Sequence, residues 1–129
     1  FKLFIISNQS GVARGYFKKS DLNKITKKLK DELKKYGVKF EKILYCTHHP
    51  RENCNCRKPK TGLFKELKKK YKFDLKNTYY IGNWDTDTEF AKNCKIKSIL
   101  VRNKPKKIKP DFVCKNLKEA VDIILSISC

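Results

Sequence analysis

Short apolar runs recur along the chain and are separated by longer segments of mixed polarity. Five of these runs have the length and composition of buried strands, at residues 3–6, 38–45, 78–81, 98–101 and 111–114. Polar or glycine-containing turns follow most of them. The pattern therefore predicts five strands, the last of them short.

The segments between the strands repeat their apolar residues at spacings of three and four, which predicts helices. One helix begins after a Ser20 cap and ends near Gly37, a second begins at Thr61, and a short third covers 88–93. A last helix covers 117–126, and its apolar positions are expected to face inward: Leu117, Ala120, Val121, Ile124 and Leu125.

Strand–helix alternation predicts an α/β fold, a Rossmann-like three-layer α/β/α arrangement around a mostly parallel sheet. We expect one domain over residues 1–129. In such sheets the ligand site lies at the carboxyl ends of the strands. Ser7, Cys46 and Gly82 each follow a predicted strand, so the site is expected there.

The chain carries 32 Lys and Arg against 13 Asp and Glu, a net charge of +19. Because the lysines are spread over every predicted helix, we interpret them as solvated surface and expect no nucleic-acid partner. A positive field suits a small anionic substrate. No apolar run reaches the ~18 residues of a membrane span, and no leader is visible, so we expect a cytoplasmic protein that contacts no membrane. We also expect a monomer.

The chain has six cysteines and no visible leader, which favours a reducing compartment. Clustered cysteines are there more often metal ligands than disulfides. Cys46-x-His48 and Cys54-x-Cys56 place three thiols and one imidazole in a short loop. Zinc takes four such ligands in a tetrahedron, and four protein ligands leave no open position for catalysis. The loop predicts a structural zinc site, while Cys94, Cys114 and Cys129 are expected to be ordinary free cysteines.

Two further stretches have residues suited to phosphate chemistry. "SNQSG" supplies hydroxyl and backbone N–H groups that can hold phosphate oxygens. Lys58 follows the cysteine loop directly, where its ammonium could neutralise a transferring phosphoryl group. "GNWDTD" carries Asp85 and Asp87, whose carboxylates suit Mg²⁺, although Asp87 could equally stabilise a helix N-terminus.

Together these stretches resemble the haloacid dehalogenase superfamily of aspartate-nucleophile phosphatases, in particular its zinc-loop branch of heptose bisphosphate and histidinol-phosphate phosphatases. "SNQSGVARGYF" resembles the second motif of the heptose enzymes, "CTHHPRENCNCRKPK" the zinc loop with the third-motif lysine, and "YIGNWDTDTEFA" the fourth motif. The resemblance implies a haloacid dehalogenase-like fold without a large cap domain, and both Zn²⁺ and Mg²⁺.

The resemblance also implies roles for individual residues. Ser7 and Asn8 would hold the phosphoryl group, Arg14 and Arg57 would contact the substrate, and Lys58 would stabilise the transferring phosphate. Zinc would be bound by four residues of the loop: Cys46, His48, Cys54 and Cys56. Asn83 would hold magnesium, and Asp87 would support either Lys58 or that metal.

Two departures from the family pattern bear on activity. Asn83 occupies the position of a magnesium-binding aspartate, so we expect weaker magnesium binding unless Asp85 compensates. The first motif, Asp-x-Asp-Gly, which supplies the nucleophile, is absent from the 129 residues. We therefore expect the chain to be N-terminally incomplete and a preceding segment to carry that motif.

The predicted reaction is removal of the 7-phosphate of D-glycero-D-manno-heptose 1,7-bisphosphate through an aspartyl-phosphate. The compact loop from Cys46 to Cys56 resembles the histidinol-phosphate enzymes instead, which leaves histidinol phosphate as an alternative substrate. Asn83 and the missing first motif leave a second alternative, a catalytically inactive zinc-bearing binding domain. Polynucleotide 3′-phosphatases share the second motif but lack this zinc loop, and we rank them lower.

Overall fold

A computed structural model describes residues 1–128 of the chain, so Cys129 lies outside the described residues. The chain divides into two compact units, Phe1–Arg57 and Lys58–Cys129. Each unit combines helices with parallel strands, which confirms the predicted α/β class. The single domain expected over residues 1–129 stays a prediction. No helix within residues 1–128 has the length and apolar character required to cross a membrane.

The first unit is a strand–helix–strand unit formed by β1 (Leu3–Asn8), α1 (Lys19–Lys34) and β2 (Phe40–Cys46). The two strands pair in parallel, and Asn8 lies opposite Cys46. Because the strands end level, the loops that follow them leave the same edge of this sheet. Strand β1 is longer than predicted and includes Ser7 and Asn8 as its last two residues.

The boundaries of α1 differ from the sequence prediction at one end. The helix begins at Lys19, so the predicted Ser20 cap is wrong. The backbone N–H of Lys18 donates instead to the Asp21 carboxylate at 2.9 Å, and an acidic group in the first turn also suits the helix dipole. The predicted end is confirmed, because α1 stops at Lys34 and Gly37 adopts the left-handed conformation (φ 74°) that closes it.

The second unit contains α2 (Gly62–Lys70), β3 (Tyr79–Gly82), α3 (Asp85–Asn93), β4 (Lys97–Val101), β5 (Phe112–Cys114) and α4 (Leu117–Ile127). Its strands pair in parallel in the order β3-β4-β5. Ile99 and Val101 of β4 are buried against Ala120 of α4, and Tyr79 and Ile81 of β3 pack against them. This core holds the carboxyl end of β3, where the fourth-motif stretch begins.

Helix α4 packs inward only two of the five residues that were predicted to face inward, Ala120 and Ile124. Leu117, Val121 and Leu125 are 61%, 43% and 49% exposed, whereas Ala120 is fully buried. Ile123 and Ile124 pack beside Ala120 against β4 and β5. The inward prediction for Leu117, Val121 and Leu125 was therefore wrong, because apolar residues surround most of this helix and their spacing does not single out one face.

Candidate functional site

The cysteine–histidine loop brings four potential metal ligands together. Cys46 is the last residue of β2 and is completely buried, and its carbonyl accepts from the Gln9 backbone N–H at 2.7 Å. His48, Cys54 and Cys56 surround the Cys46 sulfur, and the four ligand atoms all lie within 4.8 Å of one another. His49 is turned away, because its Nδ1 accepts from the Arg51 backbone N–H at 3.1 Å in the short 3-10 turn that follows.

The spacing of the four atoms suits zinc. The closest pairs of ligand atoms are 3.1 to 3.6 Å apart. A tetrahedral zinc site with bonds of about 2.0–2.3 Å has ligand–ligand distances of about 3.5–3.8 Å. A zinc ion would therefore need only small side-chain adjustments.

Two of the thiols differ in their tendency to ionise. Burial disfavours the Cys54 thiolate, but hydrogen bonds from Cys46 and from the backbone N–H groups that follow outweigh it and lower the pKa of Cys54 to about 6. Burial, followed by the neighbouring sulfurs, raises the pKa of Cys56 to about 12. The protein groups alone thus ionise the sulfurs unequally, whereas a divalent cation would stabilise all three thiolates.

Lys58 and Asp87 form a nearly buried ion pair in the second unit. The Lys58 Nζ lies 2.6 Å from Asp87 Oδ1, and the two side chains are only 11% and 9% exposed. Asp87 lies in the first turn of α3, where its Oδ2 accepts from the backbone N–H groups of Asn83 (3.1 Å) and Trp84 (3.2 Å). One carboxylate therefore both caps α3 and holds the Lys58 ammonium.

Gly82 is required by this arrangement. A side chain at position 82 would overlap the Cβ and carboxylate of Asp87, which lies directly against the end of β3. Glycine is thus needed here for close approach rather than for an unusual backbone angle.

Tyr80 is a neighbour of Lys58 that the sequence analysis missed. Its hydroxyl oxygen accepts from Lys58 Nζ at 2.8 Å. The alternation of side chains along a strand places residues 80 and 82 on the same face of β3. That periodicity, read back from Gly82, is the signal that could have identified Tyr80.

Asp85 anchors a lysine-rich loop. Its two carboxylate oxygens accept from the backbone N–H groups of Lys106 (3.1 Å) and Lys107 (2.8 Å). The Asn103 side-chain amide donates to the Asn83 carbonyl. A cavity of about 180 Å³ lies between this loop and the fourth-motif turn, lined by residues 83–86 and by Asn103, Lys104 and Lys106.

Replacing Asp85 by alanine is expected to release this loop. The substitution removes a charged acceptor from two backbone N–H groups, so unfolding free energy should fall by about 1–3 kcal/mol. Amide hydrogen exchange at Lys106 and Lys107 should become faster, as measured by NMR. The control is Asp122→Ala, which removes an exposed carboxylate that pairs with Lys118 in α4. Unchanged exchange at both amides in Asp85→Ala would show that the loop is held by other contacts.

Magnesium has an incomplete ligand set within the described residues. Asn83 offers one neutral amide oxygen at the end of β3. Both Asp85 oxygens accept from backbone N–H groups, and both Asp87 oxygens are engaged with Lys58 or backbone N–H groups. Mg²⁺ prefers carboxylate ligands together with water and phosphate oxygens. Within residues 1–128 no group of three carboxylates converges here, and the magnesium roles predicted for Asn83 and Asp87 stay predictions.

The second-motif stretch forms a turn after β1. Ser7 Oγ accepts from the Gln9 side-chain amide at 3.0 Å. Arg14 is exposed, and its Nε donates to Ser10 Oγ at 3.1 Å. Gly11 is packed so closely against the Phe17 ring that any side chain at position 11 would overlap it. The roles predicted for Ser7, Asn8 and Arg14 stay predictions.

Arg57 is only partly exposed, and one end of its guanidinium group is buried. Within the part of the chain that the structure describes, its Nη1 has no hydrogen-bond partner. A buried N–H group that lacks a partner is uncommon and costly in native proteins. The substrate contact predicted for Arg57 stays a prediction.

The sequence of the chain is similar to one protein family and to several known phosphatases and related proteins. The family model described as polynucleotide kinase 3 phosphatase matches residues 1–100. D-glycero-beta-D-manno-heptose-1,7-bisphosphate 7-phosphatase of Helicobacter pylori is 38% identical over 127 residues, 96% of this chain and 73% of that protein. The histidine biosynthesis bifunctional protein HisB of Blochmanniella floridana is 43% identical over 99 residues, 77% of this chain but 28% of that protein.

A solved structure shares the fold of the chain. The D,D-heptose 1.7-bisphosphate phosphatase from B. bronchiseptica, complexed with magnesium and phosphate, matches with a TM-score of 0.87 and 26% identity. The match covers 98% of this chain and 75% of that one. Similarity of this extent confirms the predicted haloacid dehalogenase-like fold.

The fold and the zinc-loop cluster define a haloacid dehalogenase-like phosphatase, as the sequence resemblance implied. More narrowly, the chain belongs to the polynucleotide kinase 3 phosphatase family. It is also a relative of the D-glycero-D-manno-heptose-1,7-bisphosphate 7-phosphatases.

Proposed function

We propose that this protein hydrolyses the 7-phosphate of D-glycero-D-manno-heptose 1,7-bisphosphate, in the presence of Mg²⁺. The observation that carries the proposal is the match to the heptose enzyme of Helicobacter pylori over 96% of this chain. The nearly buried Lys58–Asp87 pair supports it, because a fixed ammonium suits phosphoryl transfer. The proposal also assumes that residues 1–129 form one domain.

The proposed reaction uses residues of the chain together with a nucleophilic aspartate. The nucleophile would be a first-motif aspartate, which residues 1–129 do not contain. It would attack phosphorus as the bond to the sugar C7 oxygen breaks and that oxygen takes up a proton, and water would then cleave the aspartyl-phosphate to release phosphate. Lys58 neutralises charge on the transferring oxygens, and its partner Asp87 keeps the ammonium at one position. Ser7 and Asn8 hold the phosphoryl group, while Arg14 and Arg57 contact the rest of the substrate.

Zinc has a structural role in this proposal. Cys46, His48, Cys54 and Cys56 would provide all four ligands and leave no open position for a substrate. Bound zinc would hold the loop that precedes Arg57 and Lys58. Magnesium would depend on carboxylates outside the described residues, with Asn83 adding a neutral oxygen at most.

The first test compares substrates, using the gene product translated from its own start codon. We expect faster phosphate release from heptose 1,7-bisphosphate than from histidinol phosphate or from a DNA 3′-phosphate. A preference for histidinol phosphate would favour the second relative described above, and a preference for DNA 3′-ends would favour the activity for which the matched family is named. Phosphate release from none of the three would support a zinc-bearing binding domain.

Replacing Arg57 by alanine is expected to raise KM for the bisphosphate by about tenfold with a smaller change in kcat, because a charged hydrogen bond to substrate oxygens is lost. Steady-state kinetics measure both constants. The matched control is Arg51→Ala, an exposed arginine in the 3-10 turn of the same loop. An unchanged KM in Arg57→Ala would remove Arg57 from the substrate contacts.

A further inference from the structure

We propose that Tyr80 is a positioning residue that directs the Lys58 ammonium group during phosphoryl transfer. The inference rests on the proposed function and adds a residue to its machinery. The Tyr80 hydroxyl lies 2.8 Å from Lys58 Nζ, on β3, while the Asp87 carboxylate contacts the same nitrogen at 2.6 Å from α3. Two acceptors on different elements therefore fix the direction of one flexible side chain.

The Tyr80 ring is itself held in place. It packs edge-on against Phe90, with the ring centroids 4.8 Å apart and an interplanar angle of 63°. Phe90 lies in α3 and is fully buried. An acceptor on a fixed ring defines a direction for the ammonium, because neither the ring nor its strand can follow movements of the lysine.

The two acceptors differ in charge, which separates their effects on Lys58. Asp87 balances the lysine charge, so it anchors the ammonium but reduces its attraction for phosphate oxygens. Burial, with the Asp87 charge as a smaller cause, raises the pKa of Tyr80, so its hydroxyl stays neutral at physiological pH. A neutral oxygen orients the ammonium by a hydrogen bond without cancelling any of its charge.

The kinetic test is Tyr80→Phe, which removes one oxygen and keeps the ring. We expect kcat to fall about tenfold, the effect of losing one hydrogen bond to a charged group, with KM changed less than about twofold. Tyr79→Phe is the matched control. Tyr79 lies on the same strand, and its buried hydroxyl has no hydrogen-bond partner within residues 1–128, so its removal should leave both constants unchanged.

A double-mutant cycle separates positioning from a general structural effect. If Tyr80 acts through Lys58, then Tyr80→Phe should cause no further loss of kcat in a Lys58→Ala background. An equal, additive loss in both backgrounds would overturn the inference, because it would show that the hydroxyl acts independently of Lys58.

A second measurement does not need activity. Exchange of the Lys58 ammonium protons with water can be measured by ¹⁵N-edited NMR. In the wild type this exchange should be slower than for an exposed lysine such as Lys27. In Tyr80→Phe it should be at least several-fold faster than in the wild type or in Tyr79→Phe. If wild type shows no phosphatase activity, the proposed function fails while this comparison still tests Tyr80. Wild-type exchange as fast as that of Lys27 would overturn the inference even if Tyr80→Phe did not fold.

Discussion

Lys58→Met is expected to lower kcat by about 10²–10³, the loss seen when one preorganised group that stabilises a transition state is removed. Methionine has a similar length and no charge, so the substitution removes the ammonium and keeps much of the packing. Lys27→Met is the control, since Lys27 is 79% exposed and pairs only within α1. Phosphate release from the heptose bisphosphate measures the effect.

The same substitution should also destabilise the protein, because it leaves the Asp87 carboxylate, only 9% exposed, without its cation. Breaking a buried ion pair by removing one partner costs about 3–5 kcal/mol. The double variant Lys58→Met with Asp87→Asn should recover much of this unfolding free energy but none of the activity. Recovery of activity in the double variant would show that Lys58 has no role beyond balancing Asp87.

Cys46→Ala is expected to abolish zinc binding and lower the melting temperature by more than about 10 °C, because zinc supplies much of the folding free energy of such loops. Cys46 is buried and its sulfur contacts the sulfurs of both Cys54 and Cys56, so the substitution removes the ligand at the centre of the cluster. Elemental analysis should give about one zinc per wild-type chain and none in the variant.

The control for this substitution is Cys114→Ala. Cys114 lies in β5, outside the ligand cluster, and burial raises the pKa of its thiol, so it stays protonated at neutral pH. This variant should keep its zinc and most of its thermal stability. A Cys46→Ala protein that retains one zinc per chain would contradict the assignment of the four ligands.

Local interactions made most of the fold predictable. Strand β4 and its neighbours were found from buried apolar runs, and the end of α1 from Gly37, because each depends on residues close in sequence. Helix α4 was predicted in the right place, but three of its five predicted inward residues, Leu117, Val121 and Leu125, are exposed. Which of its apolar residues are buried depends on β4 and β5, and that choice cannot be read from the helix alone.

In the candidate site, too, residues whose partners are close in sequence were predicted and residues with distant partners were not. The four potential zinc ligands were found because all lie within one short loop. Tyr80 was missed because its partner Lys58 lies 22 residues away in sequence. Asp85 was considered for magnesium because its contact with the backbone of Lys106, 21 residues away, was not foreseen. Contacts over such separations depend on how the helices pack, which motifs do not record.

The family that matches residues 1–100 is named for polynucleotide phosphatases, whereas the sequence pattern favoured heptose enzymes. Polynucleotide 3′-phosphatases were ranked below the heptose enzymes because they lack this zinc loop, and the relative from Helicobacter pylori supports that order. The absence of a nucleic-acid partner stays a prediction. It rests on the charge pattern, because the net charge of +19 is distributed over many exposed lysines.

The four ligand atoms of the cysteine–histidine loop all belong to the first compact unit, Phe1–Arg57. During synthesis on the ribosome the complete ligand set therefore emerges before α2 and everything after it. An ion bound at that stage would fold the loop locally and protect three thiols from oxidation while the rest of the chain is still being made. Zinc supply would then affect the yield of folded protein already at the time of translation, in addition to the stability of the finished protein.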